Sequence, residues 1–150
     1  MSSPLKQGTY RITPVGSRLF AGVRADGYEH IVRLLTPRDD INWELIPAQS
    51  SGQYVLKLIP HTESDPVYAT VPSPASLEHG LPDQVMALDQ QQQWKIVPHD
   101  KGYVIRTPSD EPDARWWFVE DPSKMYEPAK ALSGDQDTYP RSTLWNFQPI

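Results

Sequence analysis

The chain has 150 residues, the size of one ordinary domain, and it can bury roughly 70% of its unfolded surface in a single core. It holds 14 Lys and Arg against 19 Asp and Glu, and no basic run indicates a nucleic acid partner. The absence of cysteine excludes disulfides, thiol catalysis and cysteine metal sites. No apolar stretch approaches the ~18 residues of a membrane span, and residues 1–6 lack an apolar signal-peptide core. We therefore expect a soluble, cytoplasmic protein, with secretion by another route left open.

The first fifty residues predict four short strands separated by turn residues. These strands cover residues 10–12, 19–23, 31–35 and 43–47. Between the second and third strands, Asp26-Gly27 predicts a tight hairpin turn because both residues tolerate positive φ. The chain has 16 prolines, which remove backbone donors and clash inside helices. Long helices are therefore not expected.

The same order of strands recurs twice along the chain. The second unit predicts strands at 54–58, 67–71, 85–88 and 94–98, and the third at 103–106, 115–119, weakly near 131–132, and at 145–149. Each unit closes with a tryptophan motif at a constant spacing of 51 residues, carried by Trp43, Trp94 and Trp145. Self-similarity at a fixed period indicates a repeat architecture.

The repeat predicts an all-β fold, the β-trefoil, in which twelve strands form a six-stranded barrel capped by three hairpins. The units, about 8–51, 52–101 and 102–150, are each too small for a separate core and so share one domain. Three units around an axis pair their sheet edges and pool their apolar faces. We predict that the three tryptophans are structural. The predicted core comprises Tyr10, Leu19, Ile31, Trp43, Tyr54, Trp94, Tyr103, Leu144 and Trp145.

The sequence offers little for catalysis or metal binding. The histidines at 30, 61, 79 and 99 stand far apart, which disfavours a zinc site. Residues 134–137, Gly-Asp-Gln-Asp, lack the later ligands of a calcium loop. No nucleophile elbow, phosphate loop or dinucleotide fingerprint is present. We expect a monomeric binding module with no enzyme activity and no cofactor, built as a rigid barrel that carries loops.

The whole chain resembles the small cysteine-free trefoil serine protease inhibitors of basidiomycete mushrooms, the cospin-like family. The resemblance rests on the length, the opening with Gly8, Tyr10 and Ile12, and the Trp-x-Ile-x-Pro type strands that start at Trp43 and Trp94. It implies a fungal inhibitor that presents a loop to a trypsin-like serine protease as a substrate would. Whether such an inhibitor serves defence or regulates its owner's proteases stays open.

A trypsin-like pocket has an acidic floor, so the inserted residue should be Lys or Arg in a stiff, exposed loop. Two loops of the third unit qualify. Residues 122–128 carry Ser123, Lys124 and Met125 between two prolines, and residues 138–142 carry Arg141 and Ser142 after a proline. The resemblance adds the hairpin loop with Asp26, Gly27 and Tyr28, where the family uses an asparagine that this chain lacks. It also matches Lys124 to a late-loop lysine of other members. The expected order is Lys124, Arg141, then Asp26-Gly27.

The alternative function is a carbohydrate-binding trefoil lectin. Ricin-type lectin units carry Gln-x-Trp in the closing strand, and the match here is Gln92-Gln93-Trp94. The equivalent tripeptides that end at Trp43 and Trp145 do not match. A sugar site would also need an aspartate, an amide and an exposed aromatic ring that converge, and the sequence alone does not assemble that set. The inhibitor is therefore the first expectation.

Overall fold

A computed structural model of the chain describes residues 5–23, 32–36, 42–49, 52–59, 67–70, 83–88, 91–99, 102–108, 115–133 and 144–149. These residues contain thirteen strands and no helix. The strands are β1 (Gly8–Pro14), β2 (Phe20–Gly22), β3 (Arg33–Leu35), β4 (Asn42–Pro47), β5 (Gln53–Ile59), β6 (Tyr68–Thr70), β7 (Asp83–Gln84), β8 (Met86–Leu88), β9 (Gln93–His99), β10 (Gly102–Arg106), β11 (Arg115–Phe118), β12 (Lys130–Ser133) and β13 (Trp145–Pro149).

Six of these strands close into a barrel in which each is antiparallel to both neighbours. β1 pairs with β4, β4 with β5, β5 with β9, β9 with β10, β10 with β13, and β13 with β1. Within each unit the opening tyrosine lies opposite the closing tryptophan. The pairs are Tyr10 with Trp43, Tyr54 with Trp94, and Tyr103 with Trp145. Closure leaves these strands no open edge.

Three antiparallel hairpins, one from each unit, accompany the barrel. They are β2–β3, β6–β8 and β11–β12. Their third strands meet in a ring of three backbone hydrogen bonds. Val32 N donates to Val85 O at 2.8 Å, Val85 N to Ala129 O at 2.9 Å, and Ala129 N to Val32 O at 2.8 Å. The closed barrel with one hairpin per unit confirms the predicted β-trefoil.

The ring also explains why the described residues hold thirteen strands where the sequence predicted twelve. The N–H and the carbonyl of Val85 both form hydrogen bonds of this ring, so Val85 is not paired as part of a strand. The predicted third strand of unit two, 85–88, corresponds to β8, and the additional strand is β7, which lies before Val85 and pairs with β12. The predicted unit boundaries at 51/52 and 101/102 fall beside residues outside the described ranges and stay a prediction.

Four tryptophans form the centre of the core, and none of them is exposed. Trp117, in β11, lies between the three repeat tryptophans. Its ring meets those of Trp43, Trp94 and Trp145 edge to face, with centroid distances of 6.3, 5.6 and 5.5 Å. The predicted structural role of the repeat tryptophans is confirmed. Trp117 was not among the predicted core residues, and it is the residue on which the other three pack.

The indole N–H groups of the repeat tryptophans all donate to backbone carbonyls of the second strands. The bonds run from Trp43 to Ala21 at 2.9 Å, from Trp94 to Ala69 at 2.8 Å, and from Trp145 to Trp117 at 3.3 Å. Ala21, Ala69 and Trp117 therefore occupy equivalent positions in the three units. Two of these positions carry the small side chain of alanine and the third carries tryptophan, so a single large ring fills the centre.

The other predicted core residues divide into three groups. Tyr10, Tyr54 and Leu144 are buried. Leu19 and Tyr103 are partly buried and pack against the core. Ile31 lies outside the described residues.

Candidate functional site

The loop that joins β11 to β12 spans residues 119–129. Its sequence, Asp121-Pro122-Ser123, is typical of a turn because proline presets φ and aspartate accepts bonds from the backbone two residues on. The Asp121 carboxylate accepts from the Ser123 N–H at 3.0 Å and from the Ser123 hydroxyl at 2.7 Å. Lys124 N donates to Asp121 O, and Glu127 N to Lys124 O, each at 3.2 Å. The loop therefore consists of two successive hydrogen-bonded turns.

A buried carboxylate closes the base of this loop. Glu127 is 9% exposed, and its Oε2 accepts a hydrogen bond from the Asp121 N–H at 2.9 Å. The bond links the two ends of the turn region. Because the carboxylate is shielded from water, losing its partner would leave a buried acceptor unsatisfied.

The first unit holds the same loop from the other side. Tyr126 N donates to Leu34 O at 2.7 Å, and Leu34 N donates to Glu127 O at 3.0 Å. The Arg33 guanidinium donates to Tyr126 O at 3.0 Å. The Ser17 hydroxyl donates to the Pro122 carbonyl. The loop is thus fixed by contacts about a hundred residues away in sequence.

Two side chains project from this framework into solvent. Met125 is 47% exposed and Tyr126 is 37% exposed, and among the described residues these are the large apolar side chains that reach the surface. Tyr126 has a φ of 68°, the only positive φ among the described non-glycine residues. That conformation is unusual for a bulky residue and is found at sites where surrounding contacts over-determine the backbone.

The charges around the loop are balanced by local partners. Lys130 Nζ lies 2.8 Å from Glu120 Oε1, and the hydrogen bond and charge of Lys130 lower the pKa of the Glu120 carboxyl. The hydrogen bonds from the Ser123 hydroxyl and N–H lower the pKa of the Asp121 carboxyl. Both carboxylates therefore stay ionised at neutral pH. The loop presents both signs of charge and no strong field of either.

The predicted protease-binding residues are described only in part. Ser123, Lys124 and Met125 lie together on this loop and are exposed. Arg141, Ser142, Asp26, Gly27 and Tyr28 lie outside the described residues. The assignment of a reactive residue stays a prediction. Tyr126, Glu127 and Arg33 were not singled out from the sequence, because their roles arise from pairing between units one and three.

The position of Lys124 bears on how it could engage a protease. Its N–H and its carbonyl are both hydrogen-bonded inside the loop. A substrate-like residue must offer its carbonyl to the oxyanion hole of the protease. In the structure the Lys124 carbonyl already accepts the Glu127 N–H, and the residue lies in a turn and not in the extended conformation of a substrate.

The Gln92-Gln93-Trp94 motif lies at the start of β9. The Trp94 ring is fully buried, and the amide of Gln91 donates to the Tyr68 hydroxyl at 3.3 Å. The tryptophan of this motif therefore offers no exposed ring for a ligand. Within the described ranges, no group of three His, Cys, Asp or Glu could hold a metal ion, and no helix is long and apolar enough to cross a membrane.

Comparison with known proteins identifies a solved structure with a similar fold. No protein family model matches the chain, and no curated protein matches its sequence. Among solved structures, the chain is similar to the Rhizoctonia solani agglutinin, with a TM-score of 0.75, 14% sequence identity and coverage of 100% of both chains. At this identity the likeness shows a shared fold. It agrees with the β-trefoil, and it gives no support to the inhibitor family that the sequence resembles.

Proposed function

We propose that the chain is a carbohydrate-binding β-trefoil. The observation that carries the proposal is the likeness of its full length to an agglutinin. An agglutinin is a lectin, which fits a carbohydrate-binding trefoil. Because one fold can serve several functions, the proposal also needs a surface suited to a sugar.

The loop at residues 119–129 offers the kinds of groups that sugar recognition needs. Tyr126 supplies an exposed aromatic ring, and Asp121 and Lys124 supply an ionised acceptor and a donor in the same turn region. Small-ligand sites combine apolar surface with a few fixed polar groups. The hydrogen bonds from Leu34 and Arg33 hold the loop before any ligand arrives. These features favour a preformed site over a site that folds on binding.

A second candidate is the inhibitor of trypsin-like serine proteases expected from the sequence. It is favoured by one observation, the exposed Lys124 on a loop that is already fixed, because a pre-organised loop loses little entropy on binding. The internal hydrogen bonds of Lys124 count against substrate-like insertion, since they hold its backbone in a turn and not in an extended conformation. The inhibitor therefore ranks below the lectin.

One preparation of the protein can separate the two candidates. It would be applied to an array of neutral and acidic glycans, with hits measured by calorimetry, and titrated against trypsin and chymotrypsin. We expect glycan binding without protease inhibition. Inhibition without glycan binding would reverse the order, and neither activity would overturn both proposals.

If trypsin is inhibited, matched variants identify the inserted side chain. Lys124→Ala should weaken inhibition by about 30-fold or more if Lys124 enters the specificity pocket, because removal of a central anchor costs 2 kcal/mol or more. Arg141→Ala is the matched control in the other basic loop. Equal inhibition by the parent and both variants would exclude both residues.

A further inference from the structure

Methionine is the only sulfur-bearing residue type of this chain. The sequence has three methionines and no cysteine, so an oxidant that attacks sulfur can act only on thioethers. Met1 lies outside the described residues, whereas Met86 and Met125 are described. An oxidant must reach the sulfur atom, so the surroundings of these two side chains decide which of them reacts first.

Met125 is the more accessible of the two. It is 47% exposed, the highest value among the large apolar side chains of the described residues. Met86 is half-buried in β8, between the buried Val85 and Ala87. It pairs with Thr70 of β6 in the strand ladder. The packed hairpin therefore limits the approach of an oxidant to Met86 more than the loop does at Met125.

The loop at residues 119–129 is held in place by bonds that do not use the Met125 side chain. Lys124 N donates to Asp121 O, and Glu127 N donates to Lys124 O. The buried Glu127 carboxylate accepts from the Asp121 N–H. These bonds join backbone groups and one carboxylate, and none of them involves the thioether. A change at the sulfur can therefore alter the surface of the loop while the loop keeps its conformation.

We infer that Met125 is a reversible oxidation site whose sulfoxide weakens carbohydrate binding by this loop. The effect on binding rests on the proposed carbohydrate-binding function, and the oxidation site itself does not. Hydrogen peroxide is the oxidant: its O–O bond breaks, one oxygen atom forms a bond to the sulfur, and water leaves. The sulfur loses two electrons and the peroxide gains them. Reduction by two thiols restores the thioether and yields water and a disulfide.

Oxidation would change the surface beside the polar groups of the loop. Met125 directly follows Lys124, and Asp121 lies in the same turn region. A thioether offers a flexible apolar contact, whereas a sulfoxide is polar and chiral. A sugar packed against the unmodified side chain would meet a hydrated oxygen there after oxidation. Lys124 and Asp121 are unchanged by the reaction, so binding should be weakened and not abolished.

The first experiment identifies the oxidised residue in the full chain. The folded protein is treated with hydrogen peroxide, then denatured, digested with trypsin and analysed by mass spectrometry. Peptides 125–130 and 58–95 report Met125 and Met86 separately. We expect Met125 to be oxidised at least about threefold faster than Met86, and the two rates to be nearly equal in protein unfolded by guanidinium chloride. Oxidation of Met86 at the same rate or faster in the folded protein would overturn Met125 as the site.

The second experiment measures binding by calorimetry, with the oligosaccharide that gives the strongest array signal. We expect the peroxide-treated parent to bind about fivefold more weakly or worse than the untreated parent. Methionine sulfoxide reductases with dithiothreitol should reverse the loss. Met125→Leu has no sulfur at this position, so its affinity should be the same before and after peroxide. Met86→Leu is the matched control and should lose affinity on oxidation as the parent does.

The possible outcomes separate this inference from the proposed function. Oxidised Met125 with undiminished glycan binding would overturn the effect on binding and leave the carbohydrate-binding function standing. A loss of affinity in peroxide-treated Met125→Leu would assign the effect to another residue. The melting temperature of the oxidised parent should stay within a few degrees of the parent, and a large fall would mean that the side chain supports the fold. A parent that binds no glycan would overturn the proposed function and the effect on binding, while faster oxidation of Met125 would still support the oxidation site.

Discussion

The central ring of Trp117 offers the strongest test of how this trefoil is stabilised. The ring is fully buried and meets the three repeat tryptophans edge to face at 5.5–6.3 Å. Replacing a buried Trp or Phe by Ala costs about 3–5 kcal/mol. Each of the three aromatic pairs adds its own contribution, on the order of 0.5–1.5 kcal/mol. We therefore expect Trp117→Ala to fall near the upper end of the cavity range.

A loss of about 5 kcal/mol corresponds to a fall in melting temperature of roughly 10–20 °C, at ~2–4 °C per kcal/mol for a chain of this size. Urea unfolding followed by far-ultraviolet circular dichroism would measure the loss in free energy of unfolding. This signal does not depend on tryptophan emission. Trp94→Ala, which removes one of the three repeat tryptophans around Trp117, serves as a comparison and should cost about 3–5 kcal/mol. A cost below about 1 kcal/mol for Trp117→Ala would contradict the central role of this ring.

The phenylalanine variants sharpen the test, since they keep an aromatic ring and change the hydrogen bonding. Within the described residues, the buried indole N–H of Trp117 has no hydrogen-bond partner, whereas that of Trp94 donates to Ala69 O at 2.8 Å. Trp94→Phe loses a buried bond, while Trp117→Phe removes an unsatisfied donor that costs about 1–3 kcal/mol. Trp117→Phe should therefore be the milder change by at least about 1 kcal/mol. Equal costs, or the reverse order, would refute the reasoning.

The fold could be predicted because its main signals repeat along the chain. The spacing of Trp43, Trp94 and Trp145 reports the threefold symmetry directly, and the structure pairs each with the opening tyrosine of its own unit. Such a pattern needs no knowledge of distant contacts. It follows from the requirement that three similar units bury one shared core.

The position of Trp117 was harder to predict, because it breaks the symmetry that revealed the fold. Its equivalents are Ala21 and Ala69, and the centre of the core has room for one large ring. The sequence carries this signal as an alanine in the second strands of units one and two and a tryptophan in the second strand of unit three. It becomes readable only when the register of the three second strands is known.

Only the local features of the candidate site could be predicted from the sequence. The turn at Asp121-Pro122-Ser123 is local and was readable, as was the exposure of Lys124. The left-handed backbone of Tyr126 was not, because the Arg33 bond that fixes it spans 93 residues. Conformations imposed by another unit leave no local trace in the sequence.

Two further predictions concern a close backbone approach and the charge of the loop. Gly102→Ala should cost about 1–3 kcal/mol, because a Cβ there would lie 2.9 Å from Trp145 O. Gly8→Ala, whose Cβ would meet its nearest neighbour at 3.8 Å, is the matched control and should be nearly neutral in the same urea unfolding. The last prediction is that Asp121 titrates below the ordinary range of aspartate, because the Ser123 hydroxyl and N–H donate to its carboxylate. A pKa lowered by folding means that the ionised carboxylate stabilises the loop, that this stabilisation is present above the unfolded-state pKa, and that it is lost as the pH falls through the folded-state pKa. Carboxyl-detected NMR titration of the parent and of Ser123→Ala would measure the shift. Ser123→Ala removes the hydroxyl donor and keeps the N–H, so the pKa should move back toward its ordinary value without reaching it. An unchanged pKa in that variant would show that the hydrogen bond from the Ser123 hydroxyl does not lower the pKa of Asp121.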